Sequence, residues 1–384
     1  MKIAFVYDVL YPDTIGGVEK RIFEIGTRLA ERGHEIHLFP MSTGIGNNVI
    51  TWNGLFIHQV CRPMKLYTGG RRSVIQALWY SFHLFPVLLK TRVDIIDCQN
   101  FPYFPVIVSR IAGWLKKEVC VITWHEVWGP YWYRYLGFAG AAGRVIEKIV
   151  LLLSSSSIAV SHHTAARMVN EGYNKNPDII PNGINLKAIQ AITPEKDGSD
   201  VIFIGRFIPE KHPELVVEAI RILSGEYPDL TCTMIGDGPM MTDIHEMVRG
   251  YGLSGVIRLP GFINDYNQVI RMMKAARVFV LPSEREGFGI VCIEAMACGL
   301  PIVTTDNFLN AATDHVLPGC GYCAKPSAED IACGIKIFFS QSPDKTCLDE
   351  YVRNHDWDRI TSLIEEVYNR LSDEKSPGYF NIKK

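Results

Sequence analysis

Two glutamates eight positions apart, Glu286 and Glu294, stand in the segment Ser283-Glu284-Arg285-Glu286-Gly287-Phe288-Gly289-Ile290-Val291-Cys292-Ile293-Glu294. A strand-like run ends at Pro282, a glycine-bearing loop follows, and a helix is expected to start near Phe288 or Gly289. Free backbone N–H groups and the positive helix end then form an anion site. Two carboxylates beside a phosphate would repel it, so they suit hydroxyls of a sugar or ribose; the plainer reading is two solvated surface acids. Arg206 and Lys211, in Gly205-Arg206-Phe207-Ile208-Pro209-Glu210-Lys211, follow another strand. Aimed at a ligand, they could neutralise two phosphates of a leaving nucleotide without a metal; otherwise they are an exposed basic turn. Gly236-Asp237-Gly238-Pro239 is a further strand-to-helix turn.

In the first half, Gly16 and Gly17 join the first strand to the first helix, where backbone N–H groups can approach a phosphate or sugar. His125 sits just beyond a strand end; a lone histidine there is more often structural than catalytic. Trp128, Tyr131 and Trp132 follow it and could stack on sugar faces or hold a lipid chain on the acceptor side. Asp356-Trp357-Asp358 has the D-x-D spacing of metal-dependent sugar transferases, but a helical stripe begins at once, so Asp356 is read as a cap and Trp357 as packing. Cys320 and Cys323 have the spacing of a redox pair or half a zinc site, with no second such pair nearby; Gly321–Ala324 reads as a short strand.

These residues need strand ends to carry them. Short β-branched runs alternate with amphipathic ones from Ile3–Tyr7, Val18–Arg32 and Glu35–Phe39 onward, the rhythm of a doubly wound parallel sheet. Turn-rich residues 181–198 interrupt the rhythm, which restarts at Val201–Gly205. The expected division is a first domain at 1–180, a linker at 181–198, a second domain at 199–355, a terminal helix at 356–372 and a tail at 373–384. Two such halves leave a cleft at the carboxyl ends of their strands.

The 384 residues, 47% hydrophobic and 21% charged, exclude a disordered or collagenous chain. No uninterrupted apolar run is long enough to span a bilayer and no signal-peptide layout opens the chain, so a cytoplasmic protein is expected. Residues 1–190 hold 20 Lys/Arg against 13 Asp/Glu, and residues 191–384 hold 19 against 28. Between Glu35 and Asp94 there is no acid, while Arg62, Lys65, Arg71 and Arg72 lie beside Trp79, Phe82 and Phe85. That mixture suits a reversible, peripheral contact with an anionic membrane on its cytoplasmic face; the alternative is a buried helix at Ser73–Leu89 with solvated arginines around it.

Taken together, Gly16-Gly17, Gly33-His34, His125, Val160-Ser161, Pro181-Asn182-Gly183, Gly205-Arg206 with Lys211, Gly236-Asp237-Gly238, Pro260-Gly261-Phe262, Glu286 with Glu294, and Trp357 resemble the retaining GT-B glycosyltransferases of family 4. The resemblance implies an α/β fold of two Rossmann-like doubly wound domains facing across a cleft, with the final helix crossing back to the first. It also implies that the donor sits mainly on the second domain and the acceptor mainly on the first. By the same resemblance His125 contacts the donor sugar, Glu286 lies near the sugar, Glu294 meets the ribose, and Arg206 and Lys211 meet the diphosphate. Gly16, Gly17, Gly205, Gly236, Phe288 and Gly289 complete the expected donor set. Two departures stand out: His212-Pro213 follows Lys211 where the family usually has glycine, and Asp306–Asp314 lacks the family's glycine pair and later glutamate.

The reading is therefore a hexosyltransferase using a UDP- or GDP-linked sugar and a hydroxyl acceptor such as a lipid-linked glycan, with no bound metal or other cofactor and no nucleic-acid partner. Its rivals are a nucleotide-sugar-binding regulator and a nucleotide-sugar epimerase on the same fold.

Overall fold

A computed structural model describes residues 1–14, 16–42, 49–68 and 71–375. Ile15 and the tail residues 376–384 lie outside the described residues. The chain forms two compact units, Met1–Asn182 together with the terminal helix from Trp357, and Gly183–Asp356.

In chain order the first unit contains β1 (Lys2–Val6), α1 (Gly17–Glu31), β2 (Glu35–Leu38), β3 (Val49–Trp52), β4 (Leu55–His58), β5 (Tyr67–Thr68), β6 (Arg71–Arg72) and α2 (Val74–Lys90). It continues with β7 (Ile95–Gln99), α3 (Tyr103–Lys116), β8 (Val119–Trp124), α4 (Tyr131–Leu136), α5 (Gly140–Leu153), β9 (Ser156–Ala159), α6 (His162–Asn170) and β10 (Asp178–Ile179). The main sheet has the order β10-β9-β8-β7-β1-β2-β4-β3, with only β3 antiparallel to its neighbour. Apolar residues of the central strands point to both faces, as a parallel sheet buried on both sides requires. On one face Ile22, Ile25 and Leu29 of α1 pack with Trp357, Ile360 and Ile364; on the other Tyr80 and Leu84 of α2 pack with Val106 of α3 and Val150 of α5.

The second unit contains α7 (Leu186–Ala191), β11 (Val201–Ile204), α8 (Pro213–Ser224), β12 (Cys232–Ile235), α9 (Met241–Gly250), β13 (Ile257–Gly261), α10 (Tyr266–Ala275) and β14 (Val278–Leu281). After these come β15 (Arg285–Glu286), α11 (Ile290–Ala297), β16 (Ile302–Thr305), β17 (Leu309–Asn310), β18 (Gly321–Ala324), α12 (Ala328–Ser340) and α13 (Lys345–Arg353). Its parallel sheet runs β13-β12-β11-β14-β16-β18. The terminal helix α14 spans Trp357–Lys375.

Residues 183–198, expected as part of a linker, are folded into the second unit. Asn185 caps α7 through Ala188 N, the Lys274 ammonium donates to the carbonyls of Gln190 and Ile192, and Gly198 lies so close to the Ala275 carbonyl that a Cβ would sit 1.8 Å from it. Asp356 and Asp358 do not act together: Asp356 accepts from Leu186 N at 3.3 Å, Asp358 from Arg28 Nε at 2.8 Å, and Trp357 between them is fully buried. Cys320 is buried while Cys323 is exposed on β18, and both are free thiols.

Candidate functional site

Each sheet reverses its winding once, and both reversals carry the residues in question. In the second unit the chain builds outward from β11 through β12 to β13, then returns to β14 and continues through β16 to β18. The carboxyl ends of β11 and β14 flank the point of reversal, where open α/β sheets bind ligands. Gly205 and Arg206 leave β11, and the Glu286 loop leaves β14.

Lys211 closes a short 3-10 turn, Pro209–Lys211, and its ammonium forms an ion pair with Glu286 Oε1, which also accepts from Ser283 Oγ at 3.2 Å. Two motifs 75 residues apart thus meet. Arg206, just past the end of β11, is exposed. His212 takes the left-handed conformation, φ 48°, that a glycine would adopt without strain. Its imidazole holds the turn, with Nδ1 2.7 Å from Glu214 Oε1 and Nε2 3.8 Å from Glu284 Oε2. The departure from the family's glycine therefore leaves the turn intact.

Gly289 caps α11 at φ 84°, with no side chain bonded to the first amides, and its carbonyl accepts from Cys292 N at 2.9 Å. Glu294 is buried within α11 and accepts from Tyr266 Oη at 2.8 Å. Gly236 is required by packing: a Cβ would stand 1.8 Å from the Gly205 carbonyl oxygen. Phe288 departs from expectation. Its ring is buried against His315, with centroids 4.6 Å apart, and its carbonyl accepts from His315 Nε2 at 2.7 Å, so its side chain serves the core rather than a ligand. Burial lowers the His315 pKa to about 3, which keeps the ring neutral.

The segment Asp306–Asp314, to which sequence reasoning gave no role, cradles the Glu286 loop. Its strand β17 pairs in parallel with β15, matching Arg285 with Leu309 and Glu286 with Asn310. Buried Asn310 donates to Thr304 Oγ1 at 2.9 Å and to the Thr305 carbonyl at 2.8 Å, and accepts from Ala312 N at 3.1 Å.

In the first unit the reversal lies between β1 and β7. His125 follows the adjacent β8, and its Nε2 lies 2.7 Å from Gln99 Oε1. Gln99 Nε2 in turn donates to Asp97 Oδ1 at 3.0 Å, and Asp97 also accepts from Thr123 Oγ1 at 2.7 Å and from Tyr368 Oη of α14 at 2.5 Å. Because the amide donates to the carboxylate, its oxygen faces the imidazole, so Nε2 carries the hydrogen and Nδ1 the lone pair. Burial and nearby Arg21 lower the His125 pKa to about 3, so the ring is neutral. Gln99, Asp97 and Tyr368 escaped sequence reasoning; the alternating Asp97-Cys98-Gln99 at a strand end was the available signal.

Gly16 starts α1, and the Glu19 carboxylate folds back into the space beside it, 2.5 Å from where a Cβ would lie. Burial raises the Glu19 pKa. A carboxylate at the mouth of the Gly16-Gly17 loop disfavours phosphate there and suits a hydroxyl. Trp128 and Trp132 are not an open stacking platform: both are buried, their rings 4.6 Å apart. They belong to the shell around buried Glu147, which accepts from Tyr103 Oη (2.6 Å), Trp128 N (2.9 Å), Gly129 N (2.7 Å) and Trp132 Nε1 (3.2 Å). Tyr131 is half-buried, edge-on to Trp128. Of the expected membrane-contact residues, Arg62, Lys65 and Arg71 are exposed. Arg72 is withdrawn: its Nη2 donates to both oxygens of buried Asp8, at 2.6 and 2.5 Å. The buried Asp8 carboxylate, which also accepts from Gln76 Nε2 at 2.8 Å, claims that arginine.

Two Rossmann-like units with these loops at their reversal points define the GT-B class. Residues 186–355 match the family model "Glycosyl transferases group 1", and residues 15–188 match "Glycosyltransferase Family 4". The chain belongs to the family 4 type of GT-B glycosyltransferases. It is 25% identical to the phosphatidylinositol N-acetylglucosaminyltransferase gpi3 subunit of Schizosaccharomyces pombe, over 97% of this chain and 81% of that one. It is 26% identical to a phosphatidyl-myo-inositol mannosyltransferase of Propionibacterium freudenreichii, over 78% and 76%. Sucrose-phosphate synthase from Thermosynechococcus elongatus shares the fold, with a TM-score of 0.77 at 20% identity over 97% of this chain and 99% of that one.

Proposed function

We propose that this glycosyltransferase moves a hexose or N-acetylhexosamine from a nucleotide diphosphate sugar to a hydroxyl of an inositol-lipid acceptor, with retention of anomeric configuration. The Lys211–Glu286 ion pair carries the donor half of this reading, because it joins a cation and a carboxylate on the loops at one point of reversal, with the N-terminus of α11 four residues after Glu286. When the donor binds, Lys211 turns to the diphosphate with Arg206, and the released Glu286 carboxylate takes sugar hydroxyls. Glu294, with Tyr266, meets the ribose. Acceptor attack on the leaving-group face lets the departing phosphate oxygen take the acceptor's proton, so no side-chain base is needed. Lys211, Arg206 and the amides supply the charge that a cation would otherwise bring. The names of the two inositol-lipid transferases support the acceptor class.

The test is a panel of UDP-glucose, UDP-N-acetylglucosamine and GDP-mannose offered with phosphatidylinositol vesicles, in EDTA. One donor is expected to give nucleotide release and a glycolipid whose anomeric proton coupling matches the donor. An inverted product removes the retaining mechanism, activity lost in EDTA and restored by a divalent cation removes the metal-free reading, and binding without release from any donor leaves a nucleotide-sugar-binding regulator.

A further inference from the structure

More than half of the large apolar side chains exposed among the described residues lie on α2 to α5 and their connections. On α2 they are Ile75, Leu78, Trp79 and Phe82; Trp114 and Leu115 continue on α3, and Ile149 and Leu152 on α5. The inward sides of these helices are also apolar, with Tyr80, Leu84, Val106, Val150 and Leu151 packed on the sheet. Helices apolar on both sides are unusual on a protein facing only water. Ile75, Phe82, Trp114 and Leu152 are each more than 70% exposed. The alternative of α2 as a buried helix is thereby set aside.

The charge on the same helices has one sign. No exposed acidic side chain lies on α2, α3, α4 or α5, where the one acid, Glu147, is fully buried. Lys90, Arg134 and Lys148 on these helices, and Lys117 just past α3, are exposed. A second protein chain could cover the apolar side chains, but the exposed charges on these helices are all cations, with Glu118 and Glu374 confined to the hollow beside Trp114 and Lys117; that balance matches a surface of fixed negative charge, and indoles among cations suit the level of lipid headgroups.

We infer that the outer face of α2, α3 and α5 docks on an anionic lipid bilayer, with Trp79, Phe82 and Trp114 entering the headgroup and acyl boundary and Lys90, Lys117 and Lys148 held at the phosphates. No helix among the described residues is long and apolar enough to cross a membrane, so the face lies on the bilayer. This keeps Trp79 and Phe82 from the basic and aromatic contact expected around Arg62, Lys65, Arg71 and Arg72, and extends it over α3 and α5, while Arg72 is held by Asp8. It deepens the lipid-acceptor reading by naming where such an acceptor is met, and it stands on its own observations.

The experiment floats the full chain with phosphatidylcholine vesicles and with phosphatidylcholine–phosphatidylglycerol vesicles at low and high salt, and repeats both with brominated acyl chains. Wild type is expected to float preferentially with anionic vesicles, to keep part of that binding at high salt, and to show bromolipid quenching of tryptophan emission. A Trp79→Ser/Phe82→Ser/Trp114→Ser variant with unchanged circular dichroism should lose at least about tenfold in partitioning. Lys90→Gln/Lys117→Gln/Lys148→Gln should abolish the preference for anionic vesicles. Wild type left unfloated and unquenched overturns the inference, as does a dimer seen by light scattering that the serine variant converts to monomer. Nucleotide release in vesicle-free solution reads the transferase site separately, so failure of docking and failure of the transferase reading are distinguishable.

Discussion

His125 is held by a chain of donors that ends on the terminal helix. Tyr368 Oη and Thr123 Oγ1 satisfy Asp97, Asp97 orients the Gln99 amide, and Gln99 fixes the hydrogen of His125 on Nε2. Tyr368, fully buried, thus reaches His125 only through Asp97 and Gln99. Tyr368→Phe removes one bond to a buried carboxylate and should destabilise the first unit by about 1.5–3 kcal/mol. The role in positioning predicts more than that: the ¹⁵N shifts of His125 should change from a single Nε2–H tautomer to a mixture, and kcat should fall more than KM rises. An unchanged tautomer with lowered stability would make Tyr368 a packing residue only. His125 and the aromatic run after it also show what single residues do and do not disclose. The histidine's place past a strand end was legible, because strand ends follow from β-branched runs. The burial of Trp128 and Trp132 was not, since an aromatic stretch reads equally as ligand platform or core. What decides it is Glu147, whose carboxylate gathers donors from Tyr103 of α3 and from the run Trp128–Trp132.

At the scale of elements, the long parallel strands and their helices were legible almost to the residue. α1, expected at Val18–Arg32, spans Gly17–Glu31, and β11, expected at Val201–Gly205, ends at Ile204. The two-residue strands β15 and β17 were not, because they have no periodicity of their own and exist only by pairing with each other. That pairing makes Asn310 a support of the Glu286 loop. Asn310→Ala strands the Ala312 amide and frees Thr304, and is expected to cost about 1–3 kcal/mol, lowering the thermal midpoint of the second unit. His315 supports the same loop through the Phe288 carbonyl. Its pKa of about 3 lies below that of a histidine in the unfolded chain, about 6.5. Above the higher value both states are neutral and the stability is fully present; as pH falls below it the unfolded chain takes up a proton that the folded ring refuses. Stability should therefore fall from near pH 6.5 toward pH 3, by up to roughly 1.4 kcal/mol per unit for this one group. Denaturant midpoints for His315→Gln should show a shallower acid slope than wild type; parallel slopes would contradict the assignment.

For the molecule as a whole, two sheets with one reversal each carry the candidate site residues, and residues 1–190 hold 20 Lys/Arg against 13 Asp/Glu while residues 191–384 hold 19 against 28. The central claim is that the Lys211–Glu286 pair at the second unit's reversal point belongs to the machinery of sugar transfer. Removing one electrostatic contact of this kind costs on the order of 10²–10³ in kcat. The most direct measurement is the rate of nucleotide diphosphate release from the preferred donor, with acceptor vesicles present, for wild type, Lys211→Ala and Glu286→Ala, each checked for native circular dichroism. Both folded variants are predicted to lose at least about a hundredfold; wild-type turnover by both would contradict the account.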